Sequence, residues 1–309
     1  MFPTDVVILA GARTPMARYT GAFSDVSAIE LAAHASKEAI RRSGVDPGEF
    51  DHAIFGNVMQ TRADAIYGAR HVGLKAGLKI ETPAVTVNRL CGSGIEAIAQ
   101  AAEAAYKACC IKEELVPVEV KQGKKSIVVS EDDHRRPDTT MEILEKLPPS
   151  FKKDGIVTAG NASGIVDGGA AVVVTREKTA KERGLKPVGR IVSWAVAGVD
   201  PSIMGIGPVP ASQKALKLAG LKLEQMDRVE VNEAFAAQYL AVEKVLGLNR
   251  DKTNVNGGAI ALGHPLGASG TRLVITILNE LRRNGLRYGL ATACIGGGQG
   301  IAMIVEAMK

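Results

Sequence analysis

The chain of 309 residues is 46% hydrophobic and 23% charged, with a formal net charge of +5. This composition is typical of a globular protein with enough apolar residues for two modest domains. The basic residues are scattered without interleaved aromatic residues, and no apolar run is long enough to span a bilayer, so we predict neither a nucleic-acid nor a membrane partner. The positive charge suits an anionic small molecule.

The four cysteines are too few for a disulfide scaffold in a chain of this length, and they form no CxxC pair. We therefore predict no metal site and a reducing compartment. The first residues lead directly into an apolar strand, without a basic or signal-type stretch. This pattern predicts a cytoplasmic location.

Short apolar strands alternate with alanine-rich helical segments, which predicts an α/β fold with a largely parallel sheet. In the first half the pattern predicts strands at residues 6–10, 52–56 and 84–88, and helices at residues 27–42 and directly after Cys91. In the second half it predicts strands at residues 188–197, 228–232, 288–293 and 301–305, and helices at residues 210–218, after Asn232 and from Ser269.

The two halves are similar in sequence pattern. Val87-Asn88 and Val255-Asn256 each end a strand before a glycine-rich turn and a helix, and residues 168–174 and 298–305 close each half alike. We therefore divide the chain into residues 1–176 and 177–309, and expect the site where turns of the two halves meet. Residues 107–155 are rich in charge and proline, and they predict a surface loop region with a short helix near residues 141–146.

Three glycine-rich turns carry the candidate chemistry, at Cys91, His264 and Cys294. A thiol at a strand-to-helix turn lies where backbone amides favour the thiolate, and Gly92 and Gly94 would let a carbonyl approach. A rigidly held histidine near a thiol can take its proton. The glycines after Cys294 expose amides suited to an oxyanion hole, and its thiol could act as an acid or base near neutral pH.

Each residue also has a structural interpretation. Cys91 could be a buried structural cysteine, His264 a surface residue, and Cys294 a small residue in a tight turn. Asn232 could cap the following helix, or hold a water or a carbonyl at the site, and both can be true.

Four segments together resemble the signature blocks of the thiolases. They are Asn88-Arg89-Leu90-Cys91-Gly92-Ser93-Gly94, Asn232-Glu233-Ala234-Phe235, Gly263-His264-Pro265 and Cys294-Ile295-Gly296-Gly297-Gly298. The resemblance covers nearly the whole chain and is nearest to the acetyl-CoA acetyltransferases and 3-ketoacyl-CoA thiolases. It implies a thiolase-like fold of two similar α/β halves with mixed, mainly parallel sheets of the five-stranded type, the first half being shortened.

The resemblance also implies an acyltransferase of lipid metabolism that catalyses Claisen condensation of acetyl-CoA units or the reverse thiolysis. Its substrates would be coenzyme A and acyl-CoA, with no permanently bound cofactor, and the chain would form a homodimer or homotetramer. Cys91 would carry the acyl group, His264 would activate it, and Cys294 would move the α-proton.

The remaining site residues follow from the same resemblance. Asn232 would hold the water that completes one oxyanion hole, and the amides of Cys91 and Gly296 would form the other. Ser212 and Phe235 resemble positions that line the pantetheine channel.

One part of the chain departs from the family pattern. In the family, another core strand and then a long loop domain follow the helix after Cys91. Here residues 105–110 run almost directly into residues 111–118, which resemble the late part of that loop domain. The strand, most of the loop domain and a histidine-bearing segment are thus expected to be absent, which predicts weaker stability and altered assembly. Val166 stands where the family usually has Asn.

Two other functions compete with the acyltransferase. A non-catalytic or impaired relative could bind acyl-CoA or a partner subunit, which the shortened middle favours. A thioesterase-like hydrolase would release CoA without needing Cys294.

Overall fold

A single six-stranded sheet dominates the computed structural model, which describes residues 5–104, 116–122, 125–134 and 136–308. The first part of the chain forms, in order, β1 (Val6–Arg13), β2 (Ala17–Arg18), α1 (Ala28–Ser43), β3 (Ala53–Gly56), α2 (Gly68–Ala76), β4 (Ala84–Val87) and α3 (Ser93–Ala104). The middle forms β5 (Val118–Gln122), β6 (Lys125–Val129), α4 (Met141–Glu145), β7 (Val166–Asp167), β8 (Ala170–Arg176) and α5 (Glu177–Glu182). The last part forms β9 (Gly189–Gly198), α6 (Pro208–Ala219), β10 (Arg228–Val231), α7 (Ala236–Leu246), α8 (Ala259–Leu262), α9 (Leu266–Arg283), β11 (Tyr288–Ile295) and β12 (Gln299–Ala307).

The helices begin and end where local sequence signals direct them. Ser27 caps α1 in a capping box with Glu30, whose backbone N–H donates to the Ser27 hydroxyl at 3.1 Å. Gly44, with φ of 70°, ends the same helix in the left-handed conformation that glycine adopts without strain. The predicted helix at residues 27–42 is confirmed. None of the described helices is both long and apolar enough to cross a membrane.

The main sheet joins the two halves in the order β10-β11-β12-β9-β1-β8. It is mixed, as predicted, but β10–β11 is its parallel pair and its other described pairs are antiparallel. The expectation of mainly parallel strands was therefore wrong for this sheet. In each half, the last strand (β8 or β12) runs antiparallel to the first strand (β1 or β9) beside it. The two halves meet at β1 and β9, which also run antiparallel.

The core lies between this sheet and the long helices α3 and α9. Ile95 and Ile98 of α3 and Leu273, Val274 and Ile277 of α9 are all nearly or fully buried in one apolar cluster with the strands. Full burial of such a side chain stabilises the fold by about 1.5–3 kcal/mol relative to exposure. This packing fixes the first turns of α3 and α9, which both begin at the site described below.

Among the described residues, the sheet of the first half contains a gap that the second half does not have. In the second half, β11 lies between β10 and β12. In the first half, β3 and β4 form a separate parallel pair, and in the described part of the chain no strand lies between β3 and β8. A cavity of about 600 Å³ occupies this place, lined by β3, β8 and the helices α1, α2 and α3. The strand that the family resemblance implied to be absent is the counterpart of β11.

The gap leaves β3 less protected than its counterpart. All four residues of β3 are half-buried, whereas three of the four residues of β10 are buried. Both facing edges, on β3 and β8, line the cavity. The shortened first half predicted from the sequence thus corresponds to an opening in its sheet.

The predicted loop region contains more order than expected. Its predicted short helix is confirmed as α4, but β5 and β6 form an antiparallel hairpin that was not predicted. Val118 and Val120 alternate with charged residues and pack against Phe23 and Leu31. That alternation is the pattern of a half-buried strand. Cys109 and Cys110, with the rest of residues 105–115, lie outside the described residues.

We expect the gap to lower the local stability of β3. In hydrogen–deuterium exchange, amides of β3 should exchange about tenfold faster than those of β10, because an unsupported edge opens at lower free-energy cost. Strand β10 is the matched control, because it has the same length as β3. It lies between β11 on one side and a bridge from Val229 to Thr253 on the other. Equal protection of the two strands would contradict the expectation.

Candidate active site

The turn that carries Cys91 is held in a strained shape by side chains. Leu90 has φ of 42°, which is uncommon for a residue other than glycine. The Asn88 carboxamide oxygen accepts from the Leu90 N–H at 3.0 Å, and the Ser93 hydroxyl donates to the Leu90 carbonyl at 2.7 Å. These bonds satisfy the turn and place Cys91 two residues before α3.

The two glycines beside Cys91 permit close packing. A Cβ at Gly92 would lie 2.6 Å from the Ile295 side chain, and a Cβ at Gly94 would lie 2.5 Å from the Thr271 nitrogen. Ile295 ends β11, and Thr271 lies in the first turns of α9. The glycines therefore bring the start of α3 against both of these elements, a role different from the predicted approach of a substrate carbonyl.

His264 lies between α8 and α9 and is 4% exposed. Its backbone N–H donates to the Gly164 carbonyl at 2.9 Å. On the ring, Nδ1 lies 2.6 Å from the Ser269 hydroxyl and Nε2 lies 3.2 Å from the Asn232 side-chain nitrogen. Burial, and then the charge of Arg272, lower the pKa of His264 to about 4. The imidazole is therefore neutral at physiological pH.

Asn232 faces His264 and does not cap a helix. The following helix, α7, begins at Ala236, so the predicted capping role was wrong. The Asn232 backbone N–H donates to the Thr292 carbonyl at 2.9 Å, which ties the residue to β11. Its side-chain oxygen is buried and has no hydrogen-bond partner. That oxygen is a candidate acceptor for a water or substrate group.

Cys294 lies near the end of β11, opposite Gly300 of β12, and is 1% exposed. Burial, and then the charge of the Cys91 thiolate, raise the pKa of Cys294 to about 12. The two thiols therefore lie within electrostatic reach of one another. The prediction of a Cys294 pKa near neutral was wrong, because burial in this apolar strand end outweighs the effect of its own backbone N–H.

Burial also raises the pKa of Cys91, although the N–H groups of Gly296 and of Cys91 itself oppose that rise. The predicted preference for thiolate was therefore wrong for the resting protein, since desolvation exceeds the help from the amides. The same two amides point at the Cys91 sulfur, as expected for donors that could stabilise an oxygen bound there.

The two predicted channel residues lie on the second half. Ser212 is on α6, fully buried, and its hydroxyl has no hydrogen-bond partner. Phe235 precedes α7, is half-buried, and meets the ring of Phe151 edge-on with 6.0 Å between centroids. Their role toward a substrate stays a prediction.

Sequence reasoning missed Ser269, Arg272 and Glu230. Arg272 is 1% exposed and donates to the buried Glu230 carboxylate at 2.9 Å. The helix was predicted to begin at Ser269, but α9 begins at Leu266, so Ser269 already faces His264 from its first turn. The signal that could have found Ser269 is the rigid Pro265, which allows a helix to start directly after it. No group of three or more potential metal ligands occurs among the described residues.

Comparison with known proteins assigns the chain to a family. The thiolase N-terminal domain matches residues 6–104 and 99–178, and the thiolase C-terminal domain matches residues 185–307. The chain is 43% identical to human mitochondrial 3-ketoacyl-CoA thiolase over 388 positions, covering 97% of this chain and 98% of that protein. It is 38% identical to acetyl-CoA acetyltransferase of Shinella zoogloeoides, covering 99% and 100%.

Solved structures agree with the sequence comparison. The crystal structure of human mitochondrial 3-ketoacyl-CoA thiolase gives a TM-score of 0.94 at 42% identity, covering 100% of both chains. The same enzyme in complex with CoA gives 0.93 at 42% identity, covering 98% of both chains.

The fold and these matches define a thiolase-type acyltransferase. The chain belongs to the thiolase family, which confirms the predicted fold and enzyme class. The alignment with the human enzyme runs over 388 positions although this chain has 309 residues, so that enzyme carries residues with no counterpart here. The N-terminal match breaks at residues 99–104, at the end of α3, where the sequence predicted the shortening.

One prediction is overturned by these comparisons. A cytoplasmic location was expected, but the relatives that match at 40–43% identity include 3-ketoacyl-CoA thiolases named as mitochondrial. The cysteine usage and first residues on which the expectation was based do not distinguish the cytosol from a reducing organelle interior.

We expect His264 to make the fold sensitive to acid. Its pKa is lowered from 6.5 to about 4, so the unfolded chain binds a proton at this residue that the folded chain does not take until lower pH. The free energy of unfolding is therefore not reduced by His264 above pH 6.5, its pKa in the unfolded chain, and it decreases as the pH falls below that value. Between about pH 7 and about pH 5 the loss should be about 2 kcal/mol, measured by urea unfolding.

His264→Gln is the matched control, because glutamine cannot titrate while the other ionisable groups stay. The variant should lose correspondingly less stability across the same interval. An identical pH dependence in the two proteins would contradict the neutral buried imidazole.

Proposed function

We propose that the chain transfers acyl groups between coenzyme A thioesters through an acyl-Cys91 intermediate. The observation that carries this proposal is the set of contacts around the place where the start of α3 meets β11 and α9. The amides of Gly296 and Cys91 point at the Cys91 sulfur, the Cys294 thiol is close enough to feel its charge, and Asn232 links the end of β11 to His264. These are the parts that nucleophilic acyl transfer requires.

The resting protonation states are compatible with thiolysis of a 3-ketoacyl-CoA, the direction described here. Cys91 and Cys294 are both held as thiols, and His264 is neutral. In this direction Cys91 passes its proton to the imidazole as its sulfur attacks the 3-keto carbon. The bond between C2 and C3 breaks, its electron pair forms the enolate of acetyl-CoA, and the Cys294 thiol protonates that enolate.

The second half of the cycle restores both thiols. The incoming CoA thiol gives its proton to the Cys294 thiolate and attacks the acyl-Cys91 thioester. The departing Cys91 sulfur then takes back the proton from the imidazolium. Because Cys91 is acylated and uncharged while Cys294 is ionised, the Cys91 charge no longer opposes the ionisation of Cys294.

The finer assignments are part of the same proposal. Asn232 would hold a water at its unpartnered oxygen, and Ser212 and Phe235 would line the pantetheine channel. The domain boundary is proposed between residues 176 and 177. Coenzyme A and acyl-CoA would be substrates, with no other cofactor, and thiolysis would place the chain in fatty-acid metabolism.

A second candidate function is a relative that binds acyl-CoA or a partner subunit without efficient turnover. The gap beside β3 favours it, because residues 265–268, directly after His264, also line that cavity. Mobility transmitted from the gap would loosen the histidine. A displacement of about 1 Å can cost a hundredfold in rate.

Incubation with acetyl-CoA followed by mass spectrometry tests the proposal. We expect an acetyl adduct on the peptide that contains Cys91, and none in Cys91→Ala. Cys294→Ala should keep the adduct but lose thiolysis of acetoacetyl-CoA by at least about a hundredfold, because the proton donor is removed. Absence of an adduct in the unaltered chain would favour the binding function. Continuous release of many equivalents of free CoA per chain from acetyl-CoA, undiminished in Cys294→Ala, would favour the hydrolase.

We propose further that the chain is a homo-oligomer, a dimer or a tetramer. Large apolar side chains are exposed around the β4 edge, and they include Ile66, Tyr67, Ile80, Val85 and Leu90. β4 has one strand neighbour, β3, among the described residues. An apolar patch beside an unpaired strand edge is typical of an interface.

Light scattering after size exclusion tests this assembly. Val85→Lys should lower the mass to that of a monomer, because a charge would be buried in the interface. Val245→Lys is the matched control, since Val245 is exposed on α7 of the second half. A monomeric unaltered chain would contradict the proposal.

A further inference from the structure

Ser269 lies between two hydrogen-bonding groups in the interior beside His264. It is 1% exposed in the first turn of α9. Its hydroxyl oxygen is 3.0 Å from the Pro265 carbonyl oxygen and 2.6 Å from Nδ1 of His264. A serine hydroxyl that bonds to the carbonyl four residues earlier is a common arrangement in helices.

The Ser269 hydroxyl has a single proton, so it can donate only one of these two hydrogen bonds. The Ser269 hydroxyl donates to the Pro265 carbonyl oxygen, which can only accept and also accepts from the Ala268 and Ser269 N–H groups. The hydroxyl oxygen then accepts from the ring, and Nδ1 of His264 must carry a hydrogen. In a neutral imidazole the other nitrogen, Nε2, then carries no hydrogen and can act only as an acceptor.

The opposite side of the ring agrees with this assignment. Nε2 lies 3.2 Å from the Asn232 side-chain nitrogen, which can only donate. The Asn232 side-chain oxygen is buried and has no hydrogen-bond partner. The reverse tautomer would require the amide to flip and the Ser269 proton to leave Pro265, so that two oxygens would face one another at 3.0 Å.

We infer that Ser269 is a positioning residue that holds His264 as the Nδ1–H tautomer, with Nε2 unprotonated. The inference rests on the proposed function, because it matters only if His264 accepts the proton of Cys91. With the reverse tautomer, Nε2 would already carry a hydrogen and could not act as the base. Because Nδ1 carries the hydrogen, Nε2 must accept, and the Asn232 amide therefore turns its nitrogen toward the ring.

The buried Arg272 supports this arrangement from the next turn of α9. Its guanidinium, paired with Glu230, disfavours a second positive charge on His264. The ring is therefore neutral, and the choice between its two tautomers is left to its hydrogen bonds.

Nitrogen-15 NMR of the histidine rings tests the inference directly. The chain has five histidines, and loss of one set of signals in His264→Gln assigns His264. We expect a protonated Nδ1 and an unprotonated Nε2 in the unaltered chain. A protonated Nε2 would overturn the inference, whether or not Cys91 is acetylated.

Ser269→Thr and Ser269→Val form a matched pair, because the two side chains have similar volume and only threonine keeps the hydroxyl. Threonine should preserve the Nδ1–H signal, and valine should shift the ring toward the other tautomer. Single-turnover acetylation of Cys91 should be slower in valine than in threonine by about tenfold or more. Equal tautomers and equal rates in the two variants would overturn the inference.

Ser269→Ala covers the case in which the larger side chains do not fold, since it removes the hydroxyl without adding volume. The tautomer and the chemistry are separate readouts. If the unaltered chain shows the Nδ1–H tautomer but no acetylation of Cys91, the proposed function fails while the tautomer assignment stands.

Discussion

The contact of α3 with the end of β11 and the start of α9 is the constraint on which the site depends. Gly92 and Gly94 are the smallest residues possible at this contact, and any side chain there would collide with Ile295 or with the Thr271 backbone. Cys91 comes from the first half, whereas Cys294, His264 and Asn232 come from the second. The site therefore exists only where the halves meet, and the glycines allow them to meet closely enough for one sulfur to sense the charge of another.

Burial then determines the charge state of what this contact assembles. The same desolvation keeps two thiols protonated and one imidazole neutral, so the resting site holds no net charge on its reacting groups. The two sulfurs therefore stay protonated until a bound substrate carbonyl can accept negative charge on its oxygen. The amides of Gly296 and Cys91 supply the place for that charge, and the hydrogen bonds of the turn at Leu90 hold the Cys91 amide in position.

Much of this could be predicted from the sequence, because local signals specify local structure. The capping box at Ser27 and the glycine at position 44 bound α1, and the strand-to-helix turn at Cys91 follows from its glycines. Strand direction in the main sheet was not predictable from apolar runs, which look alike in parallel and antiparallel pairs. The protonation states were also missed, since the amides near Cys91 are visible in the sequence but its burial is not. Ser269 escaped notice because its role depends on the true start of α9, a boundary that periodicity does not locate.

The opening beside β3 has a consequence for how the molecule responds to compression. A folded chain with internal empty space occupies more volume than its unfolded form, so pressure favours unfolding in proportion to the voids that unfolding eliminates. The cavity of about 600 Å³ is bordered by elements of the first half, whereas β10 to β12 of the second half form a continuous sheet. Hydrostatic pressure is therefore expected to act on the first half, which donates Cys91, through the part of this cavity that water does not fill.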